Sequence, residues 1–294
     1  MLRMLAIDLD GTLLNEEHVI SEENKQNIMK LKENGVKIIL LSGRETDSIL
    51  PFSEELGLKE CLVGFNGGLI TNYSGAKIVF EKTIDDETAK EIVKTCEHQG
   101  IYNILFIRNT IYVSKIDDEG YKLFRKFSNS KIEPVGCLSD FIEKNNLWGS
   151  IGKMLQAGKN EKLVPLREYI VDNFKEKVSS QFSLPYFLEI FNEDVGKGQA
   201  LRKLTSYCNI SRNEVVAIGD GENDISMLKY AGVGVAMENA LPSVKLNADM
   251  VTLSNAEDGV SQAIKQLWRN LFFCNVFIWR MDVFFSDFNR KMRA

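Results

Sequence analysis

The chain reads as an α/β protein: a parallel-sheet core with an α+β module inserted into it. Three observations carry this expectation. Apolar runs such as Leu5 to Ile7, Val36 to Leu41 and Val215 to Ile218 alternate with helical stretches, as strands buried on both faces do. The middle of the chain instead has short strands around turn residues, which suggests hairpins and an antiparallel sheet. Finally, 294 residues, 44% of them hydrophobic, exceed a usual single domain, so two domains are expected.

Leu5 to Leu9 forms the first expected strand. Ser21 is a fitting N-cap, with Glu22 and Glu23 in the first turn and Gly35 as a stop, so 22–34 reads as a helix. Val36 to Leu41 is a continuous strand ending in Ser42-Gly43-Arg44. The second helix is interrupted or started anew near Pro51 and ends at Gly57. Cys61 to Phe65 is the next strand, before Asn66-Gly67-Gly68.

In the middle, Ile104 to Ile107 and Ile111 to Ser114 flank Arg108-Asn109-Thr110 as a hairpin. Further strands are expected at Lys153 to Ala157, Val178 to Phe182 and Tyr186 to Phe191, with helices near 86–98, 117–128 and 161–174. From Gly196 the strand–helix alternation returns: helices at 198–207, 223–231 and 257–268, and strands at 214–218, Val233 to Met237 and Met250 to Leu253. The expected organisation is a discontinuous core, 1–82 and 191–269, an inserted domain at 83–190 and an apolar C-terminal extension at 270–294.

A net charge of −5, with 36 Lys and Arg scattered along the chain, argues against a nucleic-acid binder. Five widely spaced cysteines without a Cys-x-x-Cys pair fit reduced thiols in a cytoplasmic protein better than a disulfide framework or a zinc site. His18 and His98 stand apart from other metal-ligand types, so a histidine triad or zinc hydrolase is not expected. Met1 to Ile7 leads straight into the first strand, without a signal segment.

The chemistry concentrates in two acidic clusters, Asp8-Leu9-Asp10-Gly11-Thr12 and Gly219-Asp220-Gly221-Glu222-Asn223-Asp224. Each follows an apolar strand, where ionised carboxylates are costly unless paired or bound to a cation. Oxygen ligands of this kind suit magnesium. Ligands gather at the carboxyl ends of strands in an open parallel sheet, and Ser42-Gly43-Arg44 is another such end. Lys197, in Val195-Gly196-Lys197-Gly198, stands at the mouth of a helix, where an ammonium and amide N–H groups favour an anion. Each feature alone has a plainer reading: Asp or Ser as a helix cap, Gly-Lys-Gly as a turn with an exposed lysine.

Together they make a phosphoryl-transfer site. Asp8 is placed to attack phosphorus as a nucleophile, and Asp10 to protonate the leaving group and then activate water. Magnesium on Asp8, Asp220 and the Asp10 carbonyl would offset charge repulsion, while Ser42 and Lys197 hold phosphate oxygens.

Taken with Leu13-Leu14 and Asn66-Gly67-Gly68, these motifs make the chain resemble the haloacid dehalogenase-like hydrolases, specifically the Cof-type phosphatases, over roughly residues 3 to 269. The resemblance implies a Rossmann-like core and an inserted cap of the C2 type. It implies Asp8 as nucleophile, Asp10 as acid and base, and Asp8, the Asp10 carbonyl and Asp220 as magnesium ligands supported by Asp224. Ser42, Lys197 and Asn223, with Leu9 and Gly43 beside them, become phosphate contacts. Asn66 falls where the family places a loop facing the cap; it reads as a substrate contact or as a plain turn residue.

The expected function is a magnesium-dependent phosphatase of small phosphorylated metabolites, sugar phosphates or phosphorylated cofactors, working through an aspartyl-phosphate. The rivals are a phosphotransferase such as a phosphomutase, and a non-enzymatic signalling domain in which Asp8 is a phospho-acceptor. Tyr102, Tyr112, Tyr186 and Phe187 line a pocket in the cap or simply pack its core. The aromatic segment 270–294 departs from the family. Its longest uncharged run, 270–279, is too short to span a bilayer, and it reads as a membrane-surface or partner-binding helix, a segment packed on the protein, or a terminus without function.

Overall fold

The computed structural model describes residues 1–267 except 127 and 129, so the expected extension at 270–294 lies outside the described residues. In chain order the elements are β1 (Met4–Asp8), α1 (Glu22–Glu33), β2 (Lys37–Leu41), α2 (Thr46–Glu55), β3 (Leu62–Gly64), β4 (Leu69–Thr71) and β5 (Ile78–Glu81). Next come α3 (Asp86–His98), β6 (Tyr102–Ile107), β7 (Thr110–Val113), α4 (Glu119–Arg125), β8 (Ile132–Pro134) and α5 (Leu138–Lys144). They are followed by β9 (Ile151–Ala157), α6 (Asn160–Phe174), β10 (Val178–Leu184), β11 (Phe187–Asn192) and α7 (Lys197–Tyr207). The last are β12 (Val215–Gly219), α8 (Ile225–Tyr230), β13 (Val233–Ala236), α9 (Pro242–Lys245), β14 (Met250–Val251) and a helix, α10, over 259–267.

These elements fall into two units: Met1–Ile38 with the described residues from Ile210 onward, and Ile39–Asn209. In the first unit β1, β12, β13 and β14 pair in parallel. Every residue of β1 and β12 is buried, which explains their unbroken apolar runs. The register Ile7↔Ile218 sets Asp8 and Gly219 at the same carboxyl end of neighbouring strands. Helix α1 starts at Ser21, whose Oγ accepts from the Asn24 N–H, and the chain turns at Gly35, at φ +81°. Buried amides tie α1 to α10: Asn24 Oδ1 accepts from the Ser261 N–H at 2.8 Å, and Asn27 Nδ2 donates to Ser261 Oγ at 2.8 Å.

In the second unit β2 and β3 are parallel, but β3–β4 and β4–β5 are antiparallel. Beyond β3 the strands thus turn antiparallel. The turn from β3 to β4 is only 65–68, too short for the crossover a parallel pair requires. Phe65 and Asn66 sit at φ +51° and +55° in that turn, a conformation that a bulky residue such as Phe rarely adopts. The expected break at Pro51 is also absent. Helix α2 runs through it in one piece, because buried Ile49 and Ser53 hold both sides of the proline against the unit and outweigh one lost backbone bond. The helix expected at 117–128 shrinks to α4, Glu119–Arg125.

The same unit contains a six-stranded sheet in the order β10-β11-β9-β6-β7-β8, antiparallel except for β7–β8. One face packs Leu105, Ile107 and Met154 on residues of α3, α5 and α6. The other gathers Tyr102, Ile104, Phe106, Leu155 and Phe187 with Phe124 of α4, and with Phe65 and Leu69 from the β3–β4 region. Tyr102 and Phe187 are thus core residues rather than pocket lining, and the Tyr102 hydroxyl donates to the Lys115 carbonyl at 2.6 Å.

Candidate active site

In the first unit the strand ends bring three carboxylates together. Oxygens of Asp8, Asp220 and Asp224 all lie within 4.8 Å of one another, with Asp8 and Asp224 buried and Asp220 half-buried. Three like charges this close repel strongly in a partly dry setting, so the set calls for protons or a cation. An all-oxygen donor set fits a hard divalent ion. Gly11 makes room for the Asp220 carboxylate: at φ +79°, a Cβ there would lie 2.3 Å from Asp220 Oδ2.

The loop around the set is braced by its own side chains. Asp224 Oδ2 accepts from the Asp220 N–H at 3.0 Å and the Gly221 N–H at 2.9 Å. That use of the carboxylate folds Asp224 back under the loop, and Gly219 has to be glycine because a Cβ would meet the Asp224 side chain at 2.5 Å. Asp10 is exposed and its carboxylate stands outside the three-carboxylate set. Leu9 is fully buried, so only its main chain is open to a ligand. The Leu9 carbonyl already accepts from the Thr12 and Leu14 N–H groups.

In the second unit a different group assembles. Ser42, 1% exposed, follows β2, and its carbonyl accepts from the Asn66 N–H at 2.9 Å. Asn66 is buried, with its amide 3.3 Å from where a Gly43 Cβ would stand. Gly67, at φ +102°, packs so closely on the start of α7 that a Cβ would come within 2.7 Å of the Gly196 carbonyl. Lys197, the first residue of α7, is fully buried. Contacts therefore run without a gap from Ser42 through Asn66 and Gly67 to the helix start carrying Lys197, although these residues span 155 positions from 42 to 197.

Thr12 is a residue that sequence reasoning passed over. Its Oγ1 donates to Asp220 Oδ1 at 2.7 Å from a fully buried position. The signal was present, since Thr12 closes the first acidic cluster, but a threonine there also reads as a turn residue. Asn223 is half-buried, in the short 3₁₀ turn Glu222–Asp224 that carries Asp224.

Known proteins agree with this reading. The family model of the haloacid dehalogenase-like hydrolases matches residues 5–264. Phosphatase YwpJ of Bacillus subtilis is 30% identical over 285 residues, covering 90% of this chain and 100% of that protein. The 5-amino-6-(5-phospho-D-ribitylamino)uracil phosphatase YitU of the same organism is 28% identical, covering 90% of this chain and 96% of that one. Among solved structures, a haloacid dehalogenase-like hydrolase from Bacteroides thetaiotaomicron superposes with a TM-score of 0.81 at 31% identity, covering 91% of this chain and 100% of that chain. No helix among the described residues is long and apolar enough to cross a membrane. With strand ends that gather carboxylates and relatives that share nearly its whole length, the chain belongs to the haloacid dehalogenase-like hydrolases, as a phosphoric monoester hydrolase.

Proposed function

We propose that the protein is a magnesium-dependent phosphatase of small phosphorylated metabolites, working through a phosphorylated aspartate. The convergence of Asp8, Asp220 and Asp224 carries the reading. Asp8, Asp220 and the Asp10 carbonyl would hold the ion, with Asp224 bracing the loop behind them. Bound there, magnesium would supply positive charge that offsets repulsion between carboxylates and phosphate.

Asp8 attacks the phosphorus, forming an Oδ–P bond as the ester oxygen departs. Asp10, exposed and so able to turn toward the leaving group, gives that oxygen its proton. It then takes a proton from water, whose oxygen attacks the same phosphorus and frees Asp8. Ser42, Lys197 and Asn223 hold the non-reacting phosphate oxygens, with main-chain groups of Leu9 and Gly43 beside them. Burial of Lys197 strengthens its attraction to a dianion, because less water screens it.

Segment 83–190, built on the six-stranded sheet, acts as an inserted cap on the discontinuous core, 1–82 and 191–269. Asn66 serves as its contact loop. The substrates are sugar phosphates or phosphorylated cofactors; the ribityl phosphate named for YitU belongs to the same chemical class of phosphorylated polyols.

The test is phosphate release from a panel of phosphorylated metabolites with magnesium, in the wild type and in Asp8→Asn. The wild type should release phosphate and the folded variant should not. Retained activity in Asp8→Asn overturns the assignment. Phosphate moved to a second hydroxyl would make the protein a phosphotransferase, and a lasting phospho-Asp8 without turnover would make it a signalling domain.

A further inference from the structure

The face of the six-stranded sheet that packs Phe65 and Phe106 is largely apolar, yet it buries an ion pair. Lys153 lies on β9 between Phe106 of β6 and Phe191 of β11, and Glu189 of β11 is its diagonal neighbour. Lys153 Nζ stands 3.0 Å from Glu189 Oε2, with the two residues 4% and 8% exposed. Burying such a pair costs desolvation that its attraction barely offsets, so stability alone gives little reason to keep it.

The ammonium does something more specific. It also donates to the Gly43 carbonyl at 3.1 Å, and it lies 5.3 Å from the centre of the Phe106 ring. Gly43 follows Ser42, and the next N–H, that of Arg44, donates to Ser42 Oγ at 3.1 Å. A trans peptide is planar, with its C=O and N–H pointing in opposite directions. The ammonium on the Gly43 carbonyl therefore fixes the Arg44 N–H on the other side of the same plane. Polarising that carbonyl also strengthens the N–H as a donor. Ser42 Oγ, holding this N–H on a lone pair, directs its own proton toward an acceptor oxygen.

We propose that Lys153 is a positioning residue for phosphate binding, acting through the Gly43–Arg44 peptide to orient the Ser42 hydroxyl. Because Lys153 belongs to the six-stranded sheet and Ser42 to the loop after β2, the grip on phosphate depends on how that sheet is seated. Glu189 keeps the ammonium aimed at the loop. The proposal rests on the reading of Ser42 as a phosphate contact.

The test compares the wild type with Lys153→Met, Lys153→Arg, Ser42→Ala, Lys153→Met with Ser42→Ala, and Lys153→Met with Glu189→Met. Each is assayed for kcat and KM on para-nitrophenyl phosphate, for inhibition by inorganic phosphate, and for melting temperature. Lys153→Met should raise KM and the phosphate inhibition constant about fivefold, the weight of one hydrogen bond, with a smaller effect on kcat. Lys153→Arg, still a donor, should recover most of the loss. The Met–Met variant removes both charges and keeps the fold while showing the same weakened phosphate inhibition. In the Ser42→Ala background Lys153→Met should add nothing, since its route is gone. Unchanged phosphate inhibition in the folded Met–Met variant overturns the proposal, as do losses that multiply in the double variant with Ser42→Ala. If Ser42→Ala binds phosphate as the wild type does, the Ser42 assignment itself fails; if only the lysine variants are silent, that assignment stands and the lysine proposal falls.

Discussion

The Thr12 hydroxyl donates to Asp220 Oδ1 at 2.7 Å, joining the two acidic clusters through one hydrogen bond. Asp220 is half-buried just past the end of β12, and this partner and the space left by Gly11 help to aim its carboxylate. Replacing Thr12 with Val keeps the shape and removes the donor. Partners that aim a ligating carboxylate commonly contribute 10- to 100-fold to metal affinity, so Thr12→Val should weaken magnesium binding by about tenfold or more. Calorimetric titration of the purified variant with magnesium reads this directly. An affinity within twofold of the wild type would show that Asp220 is aimed without Thr12.

Both acidic clusters, and the strands that carry them, could be read from the sequence because burial on both faces leaves an unbroken apolar run. Asp8 and Gly219 end such runs, and parallel pairing then brings them to one end. Elements set by a few residues were harder to read. Strands β4 and β5 hang on the left-handed Phe65 and Asn66, and no propensity foresees a Phe at φ +51°. Strand β8 and helices α5 and α9 are too short for periodicity to register. Lys153 and Glu189 sit in strands whose alternation places them on the inward face, and sequence alone would have put two charges facing solvent. Their purpose becomes visible only with the Gly43 carbonyl beside them.

Asp85 caps α3, accepting from the Thr88 N–H at 3.1 Å, and stands 3.7 Å from Lys177 Nζ. Burial pushes its carboxyl up, but the Thr88 hydrogen bonds and the Lys177 charge outweigh this and hold it below the ordinary 3.8. A carboxyl depressed in the folded state stabilises the fold above its unfolded value, and that stability is lost as pH falls through the folded value. Asn caps as well as Asp, so Asp85→Asn removes only the charge. The variant should melt about 1–2 °C lower near neutral pH, for a half-exposed charge contributing about 0.5 kcal/mol. The gap should narrow with salt and close as pH drops below 3.8. A gap that persists in acid would place the effect in packing rather than charge.

Asn103 on β6 and Gln156 on β9 are cross-strand partners, and both are buried on the sheet face shared with Leu105 and Met154. Gln156 Nε2 donates to Asn103 Oδ1 at 2.9 Å, yet Asn103 Nδ2 and Gln156 Oε1 find no partner among the described residues. A buried polar group without a partner costs about 1–3 kcal/mol, more than one hydrogen bond returns. Gln156→Met alone should therefore destabilise, since it strips Asn103 of its remaining bond and leaves the amide in place. Asn103→Leu with Gln156→Met removes both amides at similar volume and should exceed the wild type by about 1 kcal/mol in urea unfolding. The informative quantity is the coupling: the double variant must be more stable than either single variant. If the two losses simply add, the amides satisfy each other or a trapped water better than their geometry implies, and the pair is a stabilising feature of the sheet.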